Sequence, residues 1–388
     1  MFGTLFAKEC KAILKSTTYY LFLACLVLFF VSQMESNAAI TKPQRGQADY
    51  GYQYSKDKEL IMQNSIDILL QEFESETFIT YPFGFYKEVH PSKSKQSKIE
   101  AIINEIVDES YNIKEGISYE RFEAKMEEID NLLGGGSQYK ASQLKYNAYI
   151  PMTYEEALKE YEDILYKDKI SGAYARLFCD YMGIVLAILP VFLAVTRGLR
   201  DKRAKALEVI FSKKASSIAI VMSRYLATVS MVLIPVILLS ISPALQSLYS
   251  AANNGIQGDA FAYLRYTGGW LLPTIMITVS VGFFLTELTN GPVAILIHGL
   301  WWYISMFMGA EESLVGTVGY NIMPRFNTVG EHAVFKEILP QLVRNRLFYS
   351  GMGVLLLIAT IVVYHYKRKG ALNYHGKIFK HRKGELEV

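Results

Sequence analysis

Cysteine is scarce, with three among 388 residues, and the long polar stretch 35–173 contains none. Cys10, Cys25 and Cys179 each lie in or beside an apolar run, so they read as small packing residues and a disulfide framework is excluded. No G-x-x-x-x-G-K-[ST] loop occurs, so this chain does not cradle ATP phosphates as P-loop proteins do; GGGSQYK at 134–140 has the wrong spacing. There is no H-E-x-x-H, and His298 and His332 lie in different segments. His298, beside Trp301 and Trp302, reads as a packed polar side chain rather than a ligand. Local spacing offers no Ser/His/Asp or Cys/His set for nucleophilic catalysis. The chain is therefore expected to be no enzyme, with no catalytic residue, no metal and no cofactor of its own, and no nucleic-acid partner.

Apolar residues make up 51% of the chain, and they fall in runs. FGTLFAKECKAILKS comes first, with Phe2, Leu5, Phe6, Cys10, Ile13 and Leu14 at helical spacing opposite Lys8, Lys11 and Lys15. Residues 1–16 thus read as an amphipathic helix lying among lipid headgroups. A cleaved signal peptide is the competing reading, weakened because no clean small-residue cleavage site follows the hydrophobic run. Six further runs reach or approach the roughly 17–25 residues that span a bilayer: 17–34, 174–196, 225–249, 268–288, 292–309 and 348–366. Pro235, Pro243 and Pro273 permit kinks, and Thr289-Asn290-Gly291-Pro292 makes a tight turn. Ionisable groups at membrane depth are functional candidates by default. Arg176 and Asp180, four apart in the outer turns of the second run, read instead as an i,i+4 pair. Between 310 and 347 an extracytoplasmic loop is expected, in which VFKEILPQLVRN (334–345) is too short and charged to cross and reads as a re-entrant or interfacial segment.

Residues 35–173 differ in kind. Over 34–173 there are 25 acidic and 16 basic side chains, a net of −9. Helices are expected at 57–73, at 98–109 after Ser97 and Glu100, at 119–133 closed by Gly134-Gly135-Gly136, and at 153–166 opened by a Thr153/Glu156 capping box. Ile61, Ile66, Leu69, Leu70 and Phe73 read as core. The aromatic stretch 79–91, ITYPFGFYKEVHP, is too irregular for a core helix and is left open between substrate or membrane contact and loop packing.

Residues 197–224 carry eight Lys/Arg against Asp201 and Glu208, a net of +6, and 367–388 carry seven against two, a net of +5. Positive charge stays on the cytoplasmic side. Alternation then places both termini and 197–224 inside and 35–173 outside. The expected fold class is an all-α membrane protein with six transmembrane helices and a mainly helical extracytoplasmic domain inserted between helices 1 and 2. Multi-pass insertion in a bacterial plasma membrane follows, with a basic cytoplasmic tail at 367–388.

Within the basic segment, ALEVIFSKKASSIAIVMSRYLA resembles the loop of ABC-2 type transporter permeases, roughly G-T-L-E-x-L-L-x-x-P-x-S, a gap, then G-K-x-L-A. Ala206, Leu207, Glu208, Val209-Ile210-Phe211, Ser212, Ser216 and Arg224-Tyr225-Leu226-Ala227 fall in register. Lys205-Ala206 for Gly-Thr, Lys214 for Pro and Ser223 for Gly depart from it. The resemblance implies ATPase coupling by Leu207, Glu208, Val209, Ile210, Phe211 and Ser212, with Glu208 held in a groove of the ATPase and the apolar residues adding contact. It implies a separate ABC ATPase nucleotide-binding subunit that binds ATP and Mg, a second copy or a homologous permease, membrane lipid as surroundings, and export of a peptide, antibiotic, lipid or similar substrate. The alternative is a membrane receptor or immunity protein whose outer domain binds a ligand without transport, with a membrane-embedded enzyme a distant third. Co-purification with an ATPase separates the first two.

Overall fold

A computed structural model describes residues 2–34, 40–82, 86–308 and 318–371. Helices hold 70% of it, and the long apolar ones are consistent with an all-α membrane protein. Four are long and apolar enough to cross: Ser171–Arg203, Ser217–Asn253, Ala262–Thr289 and His332–Arg368. A fifth crossing arises if α1 (Phe2–Leu14) and α2 (Thr17–Gln33), bent by 70°, count as one broken span. Val293–Met308, at 16 residues, is shorter. The amphipathic reading of α1 explains its bend at Ser16: Leu5, Phe6, Cys10 and Ile13 pack on the bundle while Lys8, Lys11 and Lys15 stay exposed.

Between α2 and the long helices lies a polar unit with its own core. It comprises β1 (Tyr52–Tyr54), α3 (Lys58–Glu74), β2 (Phe78–Thr80), β3 (Lys87–Val89), α4 (Lys93–Ile106), α5 (Tyr119–Leu133), β4 (Tyr149–Pro151) and α6 (Tyr154–Glu162). Ile66 and Leu69 of α3, Ile99 and Ile106 of α4, and Phe122, Met126 and Ile129 of α5 close that core. The expected capping box forms, with Thr153 and Glu156 each satisfying the other's backbone. Gly134 ends α5 with φ 102°, a conformation that favours glycine. α4, however, begins after Ser92 rather than after Ser97. The unit is also less helical than expected, because β1 pairs antiparallel with β4 and ties its two ends together. Tyr149 stacks on Tyr52 at 5.2 Å and lies 4.8 Å from Tyr54, the cross-strand aromatic contact that stabilises a two-stranded ribbon. The aromatic stretch 79–91 overlaps the β2–β3 pair, and its residues 83–85 lie outside the described residues.

The next long helix is two segments, α7 (Ser171–Leu186) and α8 (Pro190–Arg203), because Pro190 supplies no N–H to the preceding turn. Such a break strands carbonyls, which inside an apolar bundle must find donors. The Nε1–H of Trp302 donates to Ile184 O at 2.9 Å, and Nε2 of His298 donates to Ala187 O at 2.7 Å. His298 is therefore the packed polar residue the sequence suggested. α9 (Leu207–Phe211), α10 (Ser217–Asn253), α11 (Ala262–Tyr266), a π-helical turn (Thr267–Leu271), α12 (Leu272–Thr289), α13 (Val293–Met308) and α14 (His332–Arg368) complete the bundle.

α8 and α12 cross closely through small residues spaced by four, Ala194 and Gly198 against Gly282 and Thr286. A Cβ at Gly282 would sit 2.6 Å from that of Ala194 and 3.4 Å from Val191 O. Gly282→Val is expected to cost about 1–3 kcal/mol through overpacking and to lower the thermal midpoint in detergent. Gly299→Ala, whose Cβ meets nothing within 4 Å, should leave that midpoint unchanged or slightly raised.

Two expectations are corrected at the far end of the chain. Residues 334–345 are no separate segment: they are the first turns of the 37-residue α14, with Pro340 inside the helix. The irregular piece that enters the bundle is 318–330, where Ile322, Met323, Arg325 and Phe326 are buried. Residues 310–317 of the expected loop, and 372–388 of the basic tail, lie outside the described residues.

α10 and α14 each run about 55 Å at 1.5 Å per residue, more than the roughly 40–45 Å of a whole bilayer. They organise the molecule into two ends. At one end Arg368 meets residues 211–215, Lys202 and Lys367 meet Asn290, and Arg197 meets Glu9 of α1. At the other, Tyr161 donates to Asn254 at 3.0 Å, Asp259 N donates to Ser171 at 2.8 Å, and His332 lies 2.8 Å from Asp168. The polar unit and the 204–216 connector are thus at opposite ends.

Candidate functional site

The basic segment 197–224 divides into three parts. Residues 197–203 finish α8, 217–224 begin α10, and only 204–216 form a connector, containing the five-residue α9. The basic stretch is therefore not one continuous segment, and two of its cations, Arg197 and Arg224, are buried. Arg197 donates to Glu9 at 2.5 and 2.6 Å and to Asp201 at 3.2 Å, while Arg224 bonds Asp201 and lies 5.4 Å over the ring of Tyr364. This quartet clamps α1, α8 and α10 beneath the connector.

α9 has two faces. Ile210 and Phe211 turn inward, and the ring of Phe211 meets Tyr364 of α14 edge-on at 5.6 Å. Arg368, at the end of α14, donates to Phe211 O at 2.9 Å, to Ala215 O at 2.5 Å and to Lys213 O. Glu208, Val209 and Ser212 turn outward, with Val209 59% exposed. Glu208 has no cationic partner among the described residues. Of the six residues assigned to coupling, Ile210 and Phe211 therefore pack inward on this chain, Phe211 against Tyr364 of α14, and Leu207 is half-buried.

At the opposite end, Arg176 and Asp180 do not pair with each other. Arg176 is fully buried and bidentate on Asp168, at 2.6 and 2.7 Å, with its guanidinium 4.5 Å from the ring of Phe335. Asp180 accepts from Arg325 at 2.9 and 3.0 Å and from Phe326 N at 2.6 Å, and so fixes 318–330 in the bundle. Asp168 lies before the start of α7, eight residues from Arg176, and Arg325 is 145 residues from Asp180, so spacing along a single helix pointed to neither. Beside them α6 meets the start of α14. Burial pushes the carboxyl of Glu160 above its ordinary range, and the neighbouring charges of Glu331 and Asp163 push it further. Burial likewise raises Glu331, with Lys56 opposing.

Next to this junction a cavity of about 680 Å³ opens between α14, the π-helical turn and the start of α7. Tyr266, Trp270, Phe335 and Leu339 supply apolar wall, and Lys169, Lys336 and Arg346 supply charge. Composition alone gave no sign of it, since its walls come from residues 167 to 350. Among the described residues no three His, Cys, Asp or Glu side chains group as a metal site. Comparison with protein-family models, curated proteins and solved structures returned no match.

Proposed function

We propose that this chain is the membrane-spanning permease subunit of an ABC-2-like transporter, driven by a separate ATPase and working with a second permease copy or homologue. In this reading six segments cross: α2, the α7–α8 pair, α10, the α11–α12 run, α13 and α14. The polar unit is extracytoplasmic and inserted between the first two crossings, both termini are cytoplasmic, and export of a peptide, antibiotic, lipid or similar substrate is the activity. The observation that carries the proposal is the two-faced connector: an outward carboxylate with no partner among the described residues, on a helix whose inward face is bonded to α14. A partner docking on Glu208 and Val209 has a direct mechanical route through Phe211 and Arg368 into a helix that ends, about 55 Å away, at the junction with the polar unit.

The test is purification of the chain together with its ATPase and assay of Mg-ATP hydrolysis in the complex. Glu208→Ala and Val209→Asp are expected to leave expression and insertion unchanged while weakening ATPase retention by about tenfold or more, as truncation of a desolvated interfacial charge does. Unchanged retention and hydrolysis in both variants would refute the docking role.

A further inference from the structure

The cavity beside α14 has a charge imbalance that the rest of the bundle avoids. A buried guanidinium ordinarily faces a carboxylate, because an uncompensated charge away from water is costly. Five arginines are buried here, and four obey: Arg176 faces Asp168, Arg197 faces Glu9 and Asp201, Arg224 faces Asp201, and Arg325 faces Asp180. Arg346, only 5% exposed, has no carboxylate among the described residues. Its donors go to neutral oxygens instead: Trp270 O at 3.0 Å, Thr274 Oγ1 at 2.7 Å, Asn345 Oδ1 at 2.9 Å and Ile322 O at 3.2 Å. The positive charge therefore remains unneutralised at the wall of the cavity. Lys169 and Lys336, both exposed and without a carboxylate partner among the described residues, stand at the same cavity. Its two carboxylates, Asp168 and Asp259, are already engaged by Arg176 and Arg265.

The remaining wall suits an apolar ligand body. Tyr266, Trp270, Phe335, Leu339 and Leu342 line it, and Val343 and Leu347 on its flank are apolar and 48% and 67% exposed. Trp270 is 2% exposed, yet its Nε1–H has no acceptor among the described residues. The π-helical turn that carries Trp270 presents two exposed glycines, and a Cβ at Gly268 or Gly269 would meet nothing within 4 Å. A helical bulge of this kind commonly marks a functional site, and bare backbone lets a ligand approach closely.

We infer that this cavity binds an anionic amphiphile, with an acidic headgroup held in the field of Arg346 and touched by Lys169 and Lys336, and an alkyl chain against Trp270 and Leu339. Arg346 acts through its charge, since its donors are occupied, while the exposed lysines are available for contact. The site belongs to this chain alone and its occupancy requires no ATPase, so it stands or falls separately from the permease reading.

The test uses the full chain in phosphatidylcholine nanodiscs, with tryptophan emission as readout. Brominated-chain phosphatidylglycerol should quench more than brominated-chain phosphatidylcholine at equal content, and Trp270→Phe should remove that excess. Gly269→Leu, whose Cβ meets nothing within 4 Å, should abolish it. Lys169→Gln with Lys336→Gln, both at exposed positions, should weaken it roughly threefold to tenfold. Added dodecyl phosphate distinguishes the source: displacement of the brominated lipid means that soluble amphiphiles also enter, and quenching that persists means that the occupant comes from the bilayer. Equal quenching by the two brominated lipids, or an excess that survives Gly269→Leu, overturns the inference.

Discussion

Asp180→Ala is expected to destabilise the bundle by about 3–5 kcal/mol, the usual cost of leaving one member of a buried ion pair without its partner. Asp180 is fully buried, and it accepts two bonds from Arg325 and a third from the backbone of Phe326. Its loss strands a guanidinium that is 6% exposed and frees the irregular segment that α7 holds inside the bundle. Irregular backbone inside an apolar bundle persists only where its polar groups are satisfied, so 318–330 should be the first region to exchange its amide hydrogens. The thermal midpoint in detergent should fall sharply. Asp180→Ala combined with Arg325→Met should recover much of the loss, because an apolar pair replaces an ionic one without leaving an orphan charge. An unchanged midpoint for Asp180→Ala would show that this pair does not fix the segment.

The second large effect lies at the other end. Arg368→Met removes the bonds to Phe211 O, Lys213 O and Ala215 O, while the methionine stem retains apolar contact. A bond from a charged donor contributes about 1.5–3 kcal/mol, and these partly exposed ones share their acceptors with water, so opening of the connector should become easier by about 2 kcal/mol. Amide exchange over 207–215 should then quicken roughly 30-fold with the bundle otherwise unaltered. Phe211→Ala should act in the same direction by removing the ring contact with Tyr364. Glu208→Ala should not quicken exchange, since the Glu208 side chain bonds nothing in this chain among the described residues. The contrast separates what locks the connector to α14 from what the connector offers to a partner. Equal exchange in Arg368→Met and the native chain would mean that α14 does not hold it.

Features encoded by neighbours in sequence were legible. The Thr153/Glu156 box, the Gly134 stop and the lysine face of α1 each depend on residues within one or two helical turns. What failed depends on remote partners. Tyr52–Tyr54 shows no strand signal strong enough to stand against its surroundings, and it becomes β1 because Tyr149–Pro151 pairs with it. Arg176 and Asp180 are at pairing distance along a helix, yet Asp168 and Arg325 offer bidentate geometry that an i,i+4 contact does not. Short length and charge made 334–345 read as a re-entrant or interfacial segment, but Lys336, Glu337 and Arg344 are exposed on a continuous helix, and Arg346 is satisfied by carbonyls of other segments. The direction of Phe211 was equally hidden: a five-residue helix has no periodicity to orient it, and α14 decides which face is covered.

The account rests on the polar unit and the connector facing opposite sides of a membrane. Single cysteines at Ser110, exposed in the polar unit, and at Ser212, exposed on the connector, report this directly once Cys10, Cys25 and Cys179 are replaced. An impermeant thiol reagent applied to intact cells should label the cysteine at 110 and leave that at 212 unlabelled until the membrane is opened. Labelling of both positions from outside intact cells would contradict the account.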